Sequence, residues 1–137
     1  MKTVTLVCGL PNAGKTTFCK KYDNVIHLDS MGHSTYEERF NECIIIAVNN
    51  SGDIVIDGNF YSKRIRKNMI SALNQQQCKK VCIWINTPLE TCLKRADSGG
   101  RSREIVNHIN KYFKEPTLDE GWDELIMLNG DENRTTV

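Results

Sequence analysis

Gly9-Leu10-Pro11-Asn12-Ala13-Gly14-Lys15-Thr16-Thr17 directly follows the apolar run Val4-Thr5-Leu6-Val7-Cys8, and these two stretches together decide the fold. The first fills every fixed position of the pattern G-x-x-x-x-G-K-[ST]. Gly9 and Gly14 permit backbone conformations and close approaches that a Cβ obstructs. Amide groups of such a loop converge on phosphate oxygens, and the helix that follows adds the positive end of its dipole. Gly9, Pro11, Asn12, Ala13, Gly14, Lys15, Thr16 and Thr17 are therefore the expected contacts to the phosphates of a nucleotide. Lys15 can reach the outer phosphates, and the Thr16 hydroxyl can ligate Mg²⁺.

A chain of 137 residues makes one domain large enough for a substantial core. The net charge of +1 supplies no overall electrostatic footprint for nucleic acid, so any such binding must come from local basic clusters. Met1-Lys2-Thr3 runs straight into the first strand, which leaves no room for a signal peptide. No apolar stretch approaches the ~20 residues that a membrane-spanning helix requires. The six cysteines lie in apolar runs without a C-x-x-C pair. They read as buried reduced thiols and point to a cytoplasmic protein. Cys78 and Cys82 with His108 are the one set that could suggest a metal site.

Working outward, Lys15 to about Tyr22 reads as the first helix, and Asn24 to Leu28 as a second strand ending at Asp29. Ser34 and Thr35 each precede a glutamate at the capping-box spacing, and Tyr36 to Val48 carries apolar residues at helical intervals. Asn49-Asn50-Ser51-Gly52 is a turn, and Asp53 to Asp57 is a buried strand closed by an acid. Ser62 can cap a third helix with Ile65, Met69, Ala72 and Leu73 on its apolar face. Val81 to Ile85 is the fourth strand, and Thr87-Pro88-Leu89-Glu90 predicts a helix start with Thr87 as its cap. Ser98-Gly99-Gly100 interrupts the helical pattern as a flexible joint. Ser102 to Lys114 then carries Ile105, Ile109, Tyr112 and Phe113 on one stripe. Leu125 to Leu128 is the fifth strand, so residues 1–128 form the domain and residues 129–137 a polar tail.

Strands alternating with amphipathic helices make an α/β protein whose parallel sheet is covered on both faces. Ligands of such sheets bind beyond the carboxyl ends of the strands. That rule brings Asp29 and Asp57 to the rim that carries the phosphate loop. Phosphoryl transfer needs a phosphate cradle, a metal, a group that orients the nucleophile, and cations for the developing charge. Asp57 can hold Mg²⁺ beside Thr16, and Asp29 is the expected general base. Lys94, Arg95, Arg101 and Arg103 flank the glycine joint, where arginines on a lid can close over a triphosphate. Lys63, Arg64, Arg66 and Lys67 form a second basic group, placed either to bind an anionic acceptor or as a solvated face. His27, His33 and His108 show no paired spacing and are read as non-ligands. Trp84 and Trp122 are read as packing residues.

Several features are more specific than the phosphate loop: Asp29 after strand two, Asp57-Gly58-Asn59 with Arg64, Leu93-Lys94-Arg95 before the basic lid, and Glu115-Pro116 followed by Asp119-Glu120. On these the chain resembles the small P-loop kinases related to the kinase domain of bacteriophage polynucleotide 5′-hydroxyl kinase, from about Thr3 to Leu128. The resemblance implies a three-layer fold with a five-stranded parallel sheet of order 2-3-1-4-5, an ATP donor with Mg²⁺, and Asp29 as base. It also implies a lid arginine on the donor phosphates, namely Arg95, Arg101 or Arg103, with Lys15, Arg95 and Arg101 sharing the catalytic work. The acceptor it implies is the 5′-hydroxyl of DNA or RNA. Polynucleotide kinases of this type carry an arginine for the acceptor phosphate three residues after the base, and here that residue is Gly32. A nucleoside, sugar or other small hydroxyl compound is the alternative acceptor, and a non-catalytic ATP-binding module is the alternative to an enzyme.

Overall fold

The computed structural model of the chain describes residues 1–31, 35–129 and 133–136. Strands β1 (Lys2–Cys8), β2 (Val25–His27), β3 (Ile54–Asp57), β4 (Cys78–Ile85), β5 (Glu124–Asn129) and β6 (Asn133–Thr136) form one sheet of order β2-β3-β1-β4-β5-β6. The first five pair in parallel, which is the expected 2-3-1-4-5 order. β6 pairs antiparallel with β5 through Leu128↔Arg134 and its neighbours, so the stretch expected as a polar tail contributes a sixth strand.

The strand sequences explain the layers. Successive residues of a strand face opposite sides, and along β1 Val4, Leu6 and Cys8 join one apolar cluster while Val7 joins the other. The first cluster packs under α2 (Tyr36–Asn49) and α3 (Lys63–Leu73) through Cys43, Ala47, Met69 and Leu73. The second packs under α1 (Lys15–Cys19), α4 (Leu89–Asp97) and α5 (Arg103–Tyr112) through Cys19, Cys92 and Val106. Helices on both faces of a mostly parallel sheet give the three-layer architecture.

Helix starts follow the capping chemistry in three places. The hydroxyls of Thr35, Ser62 and Ser102 accept from the amides of Glu38, Ile65 and Ile105 at the starts of α2, α3 and α5. Ser34, the other expected cap for α2, and His33 lie outside the described residues. At α4 the expectation fails. Pro88 is the cap residue, with no side-chain bond, and the Thr87 hydroxyl instead donates to the Ala13 carbonyl at 2.6 Å. Thr87 thus ties the end of β4 to the phosphate loop. The stripe expected on α5 is also displaced. Val106 is its fully buried residue, whereas Ile105 and Tyr112 are exposed.

All six cysteines are buried and unbridged. Burial pushes the Cys19 and Cys43 thiols up to about 12, so they behave as core residues and not as nucleophiles. Among the described residues no group of three or more His, Cys, Asp or Glu side chains could hold a metal ion by itself, and Cys78, Cys82 and His108 form no such site. Among the described residues no helix is long and apolar enough to cross a membrane.

Candidate active site

The loop after β1 turns against the end of β4. A Cβ on Gly9 would lie 2.7 Å from the Ile85 carbonyl oxygen, so only glycine lets the two strand ends come this close. Asn12 and Gly14 both take positive φ, 68° and 101°. Gly14 caps α1 without a side-chain acceptor, which leaves that start open to an anion. The Ala13 amide, in contrast, is engaged inside the loop by the Leu10 carbonyl at 3.1 Å.

Lys15 is buried, with its ammonium donating to the carbonyls of Gly9 (3.1 Å) and Leu10 (2.7 Å) and to Asn59 Oδ1 (3.1 Å). Burial lowers its pKa below the ordinary lysine value, against the opposing pull of Asp57 and Asp29. Asn59 stands two residues beyond β3, in a turn where Phe60 holds a φ of 41°. Asp57 is in register with Val7 of β1 on one side and His27 of β2 on the other. Its Oδ2 accepts from the Thr16 hydroxyl at 3.0 Å and lies 2.8 Å from His27 Nδ1.

Lys15, Thr16, His27 and Asp57 line one cavity of about 820 Å³, within the range of small-molecule sites. Residues 11–17 line it, together with His27, Asp29 and Asp57 on one side and Arg95 and residues 98–101 on the other. Asp29 is not the last residue of β2, as the sequence suggested, but sits in the short 3₁₀ turn Leu28–Ser30 just beyond it. Arg101 Nη1 reaches its Oδ2 at 3.7 Å, and with both side chains about half exposed the pair adds little stability.

Asn12 fastens the lid segment. Its Nδ2 donates to the carbonyls of Cys92 (3.2 Å) and Arg101 (2.9 Å), and its Oδ1 accepts from the Arg101 amide at 2.8 Å. Its own carbonyl accepts from Arg95 Nη1 at 2.9 Å. The expected lid thus divides. Arg95 and Arg101 line the cavity, whereas Arg103 pairs with Asp97 at 2.8 Å and does not.

The second basic group divides as well. Lys63, Arg64 and Lys67 are exposed, but Arg66 is fully buried and unavailable to any acceptor. Its guanidinium meets both carboxylate oxygens of Glu120 at 2.9 Å and donates to the Phe60 carbonyl at 2.7 Å. Gly32, where the resemblance lost its arginine, lies outside the described residues.

The oxygen donors fit the expected ligands. Thr16 and Asp57 offer a hydroxyl and a carboxylate side by side. Mg²⁺ is held by such a pair when phosphate oxygens and water complete its shell. The loop, Lys15 and the lid arginines would face the phosphates. Sequence reasoning missed two residues, His27 and Asn59. The polar end of β2 is the one sequence signal for His27, and only the register of β2 against β3 sets it opposite Asp57. Asn59 carries no sequence signal for its role, because its contact to Lys15 spans 44 residues.

No family model matches the chain. It is 26% identical over 140 residues to an L-seryl-tRNA(Sec) kinase of Methanococcus maripaludis, covering 86% of this chain and 55% of that protein. The chain therefore spans about half the length of this curated relative. Among solved structures it resembles Kti12 of Chaetomium thermophilum, determined in complex with ADP-AlF3. The TM-score is 0.74 and the identity 16%, over 95% of this chain and 90% of the other. It also resembles the APS kinase CysC of Mycobacterium tuberculosis, in complex with AMPPNP and APS. There the TM-score is 0.68 and the identity 17%, over 96% and 90% of the two chains. A gluconokinase from Sinorhizobium meliloti gives a TM-score of 0.66 at 9% identity, over 96% and 84%. The chain has a P-loop kinase-like fold.

Proposed function

We propose that this chain transfers the γ-phosphoryl group of ATP, bound with Mg²⁺, to a hydroxyl carried by a nucleic acid, a 5′-hydroxyl end being the favoured acceptor. The observation that carries this reading is the single cavity shared by Lys15, Thr16, Asp57, Asp29, Arg95 and Arg101. In the reaction the acceptor oxygen bonds to the γ-phosphorus as the bond from that phosphorus to the β–γ bridging oxygen breaks, and ADP departs. Asp29 takes the proton from the acceptor hydroxyl, a role that needs position more than an unusual pKa. Lys15 exchanges one of its three acceptors for a phosphate oxygen. Arg95 and Arg101 face the charge that spreads over the transferred group, and Arg101 leaves Asp29 to do so. Thr16 and Asp57 would hold Mg²⁺, which supplies charge neutralisation between the phosphates when bound.

Two observations favour a nucleic-acid acceptor. Lys63, Arg64 and Lys67 are exposed on the first turns of α3, which starts from the rim where β3 ends. The similar protein from Methanococcus maripaludis is, by its name, a kinase acting on an aminoacylated tRNA. A small-molecule acceptor is the second reading, favoured by the near-neutral net charge of +1. Terminally labelled ATP, offered with 5′-hydroxyl DNA and RNA, seryl-tRNA, nucleosides and sugars, separates the two. Label on a nucleic acid is expected. Label confined to small molecules contradicts the acceptor, and label on none of them contradicts the kinase reading.

A further inference from the structure

Among the titratable residues that line the cavity, His27 alone takes no part in the proposed transfer. It does not behave as core packing, because its side chain is 37% exposed and lines the cavity beside Asp29 and Asp57. Strand pairing explains its position. β2 and β3 run parallel with His27 opposite Asp57, so their side chains leave the sheet on the same face, ~4.8 Å apart along the pairing direction. A carboxylate oxygen only accepts, so His27 Nδ1 is the donor in the 2.8 Å contact to Asp57 Oδ2. Thr16 donates to that same oxygen from the opposite element, the first turn of α1. Two donors from two elements therefore fix the torsion of a carboxylate whose side chain is only 5% exposed. Among the described residues no hydrogen bond engages Oδ1, and the Thr16 oxygen keeps its lone pairs because it spends its proton on Asp57.

We infer that His27 is a positioning residue for Mg²⁺: it anchors Asp57 through Oδ2 so that Oδ1 and the Thr16 oxygen stay presented to a hard cation. The inference rests on the reading of the cavity as a nucleotide–Mg²⁺ site and adds a residue to it. Partners that orient a metal-binding carboxylate are typically worth ~10–100-fold in metal affinity. Nothing else in the site replaces the bond, since Lys15 donates to Asn59 and to loop carbonyls instead.

Calorimetric binding of ADP, measured with and without Mg²⁺, tests the idea without requiring turnover. His27→Phe keeps a ring and removes the donor. His27→Asn places an amide nitrogen where Nδ1 stands, and His27→Gln places one where Nε2 stands. His27→Phe and His27→Gln are expected to lose ~10-fold or more of the Mg²⁺-dependent gain in ADP affinity, with metal-free binding unchanged. His27→Asn is expected to restore most of that gain. A full Mg²⁺ gain in His27→Phe overturns the inference while leaving the kinase reading intact. Equal weakening with and without Mg²⁺ overturns it in favour of a purely structural strand contact. Wild-type protein without any Mg²⁺-dependent gain overturns both the inference and the site reading beneath it.

Discussion

Arg66 has the largest side chain among those fully buried, and its partners reach the site indirectly. It binds both Glu120 oxygens, whose carboxylate also accepts from Trp122 Nε1 (3.1 Å) and the Thr117 amide (3.1 Å). It also holds the carbonyl of Phe60, whose left-handed backbone is uncommon for a bulky residue. That turn presents Asn59 to Lys15. The pattern i, i+3, i+4, i+7 of Arg66, Met69, Ile70 and Leu73 marks it as inward-facing. The run Lys63-Arg64-Ile65-Arg66-Lys67 hid this, because charge alone argues for solvent. Removing one partner of a buried pair leaves the other charge uncompensated. Arg66→Met is therefore expected to cost ~3–5 kcal/mol in urea unfolding. Arg66→Met combined with Glu120→Leu is expected to cost less than the sum of the two single changes. Additive costs would mean that the pair is not coupled.

At the scale of elements, the joint between α4 and α5 is the part whose chemistry was legible but whose geometry was not. Glycine at 99 and 100 signalled a break, and both helices stop and start there. The two glycines differ in the folded chain. Gly99 needs its φ of +102° and borders open space, whereas a Cβ at Gly100 would meet Asn12 Oδ1 at 2.7 Å and the Arg95 carbonyl at 2.8 Å. No local pattern reveals that Asn12 would hold this segment, because the contact spans 89 residues. Gly100→Ala is therefore expected to push residues 98–101 off the phosphate loop and weaken nucleotide binding severalfold, with α4 and α5 retained by circular dichroism. Unchanged affinity would show that the Asn12 clasp does not set the position of Arg101. Thr87 teaches the same lesson. Its cap signal is locally sound, but α4 starts one residue later with Pro88 at the cap position, and the Thr87 hydroxyl donates to a carbonyl 74 residues away in the chain.

Across the whole molecule, strand ends were the most readable feature. β1 runs into the phosphate loop, β2 ends at His27 just before Asp29, and β3 closes in Asp57, and in a parallel sheet those ends share a rim. That rule places the phosphate loop, Asp29 and Asp57 together from sequence alone, and the cavity joins them. Side-to-side register is not readable from single strands, so the sequence reads His27 only as a non-ligand, and the pairing of β2 with β3 sets it against Asp57. Sheet order came from the resemblance and matches, whereas β6 lies in a polar stretch without a strand pattern. In the proposed function this rim transfers phosphate with Asp29 as base. The most direct test is the single-turnover rate of label transfer from ATP for wild type and Asp29→Asn, with ADP affinity measured alongside. A loss of ~10²–10⁴-fold in rate at unchanged ADP affinity is predicted. Transfer by Asp29→Asn at the wild-type rate would contradict it.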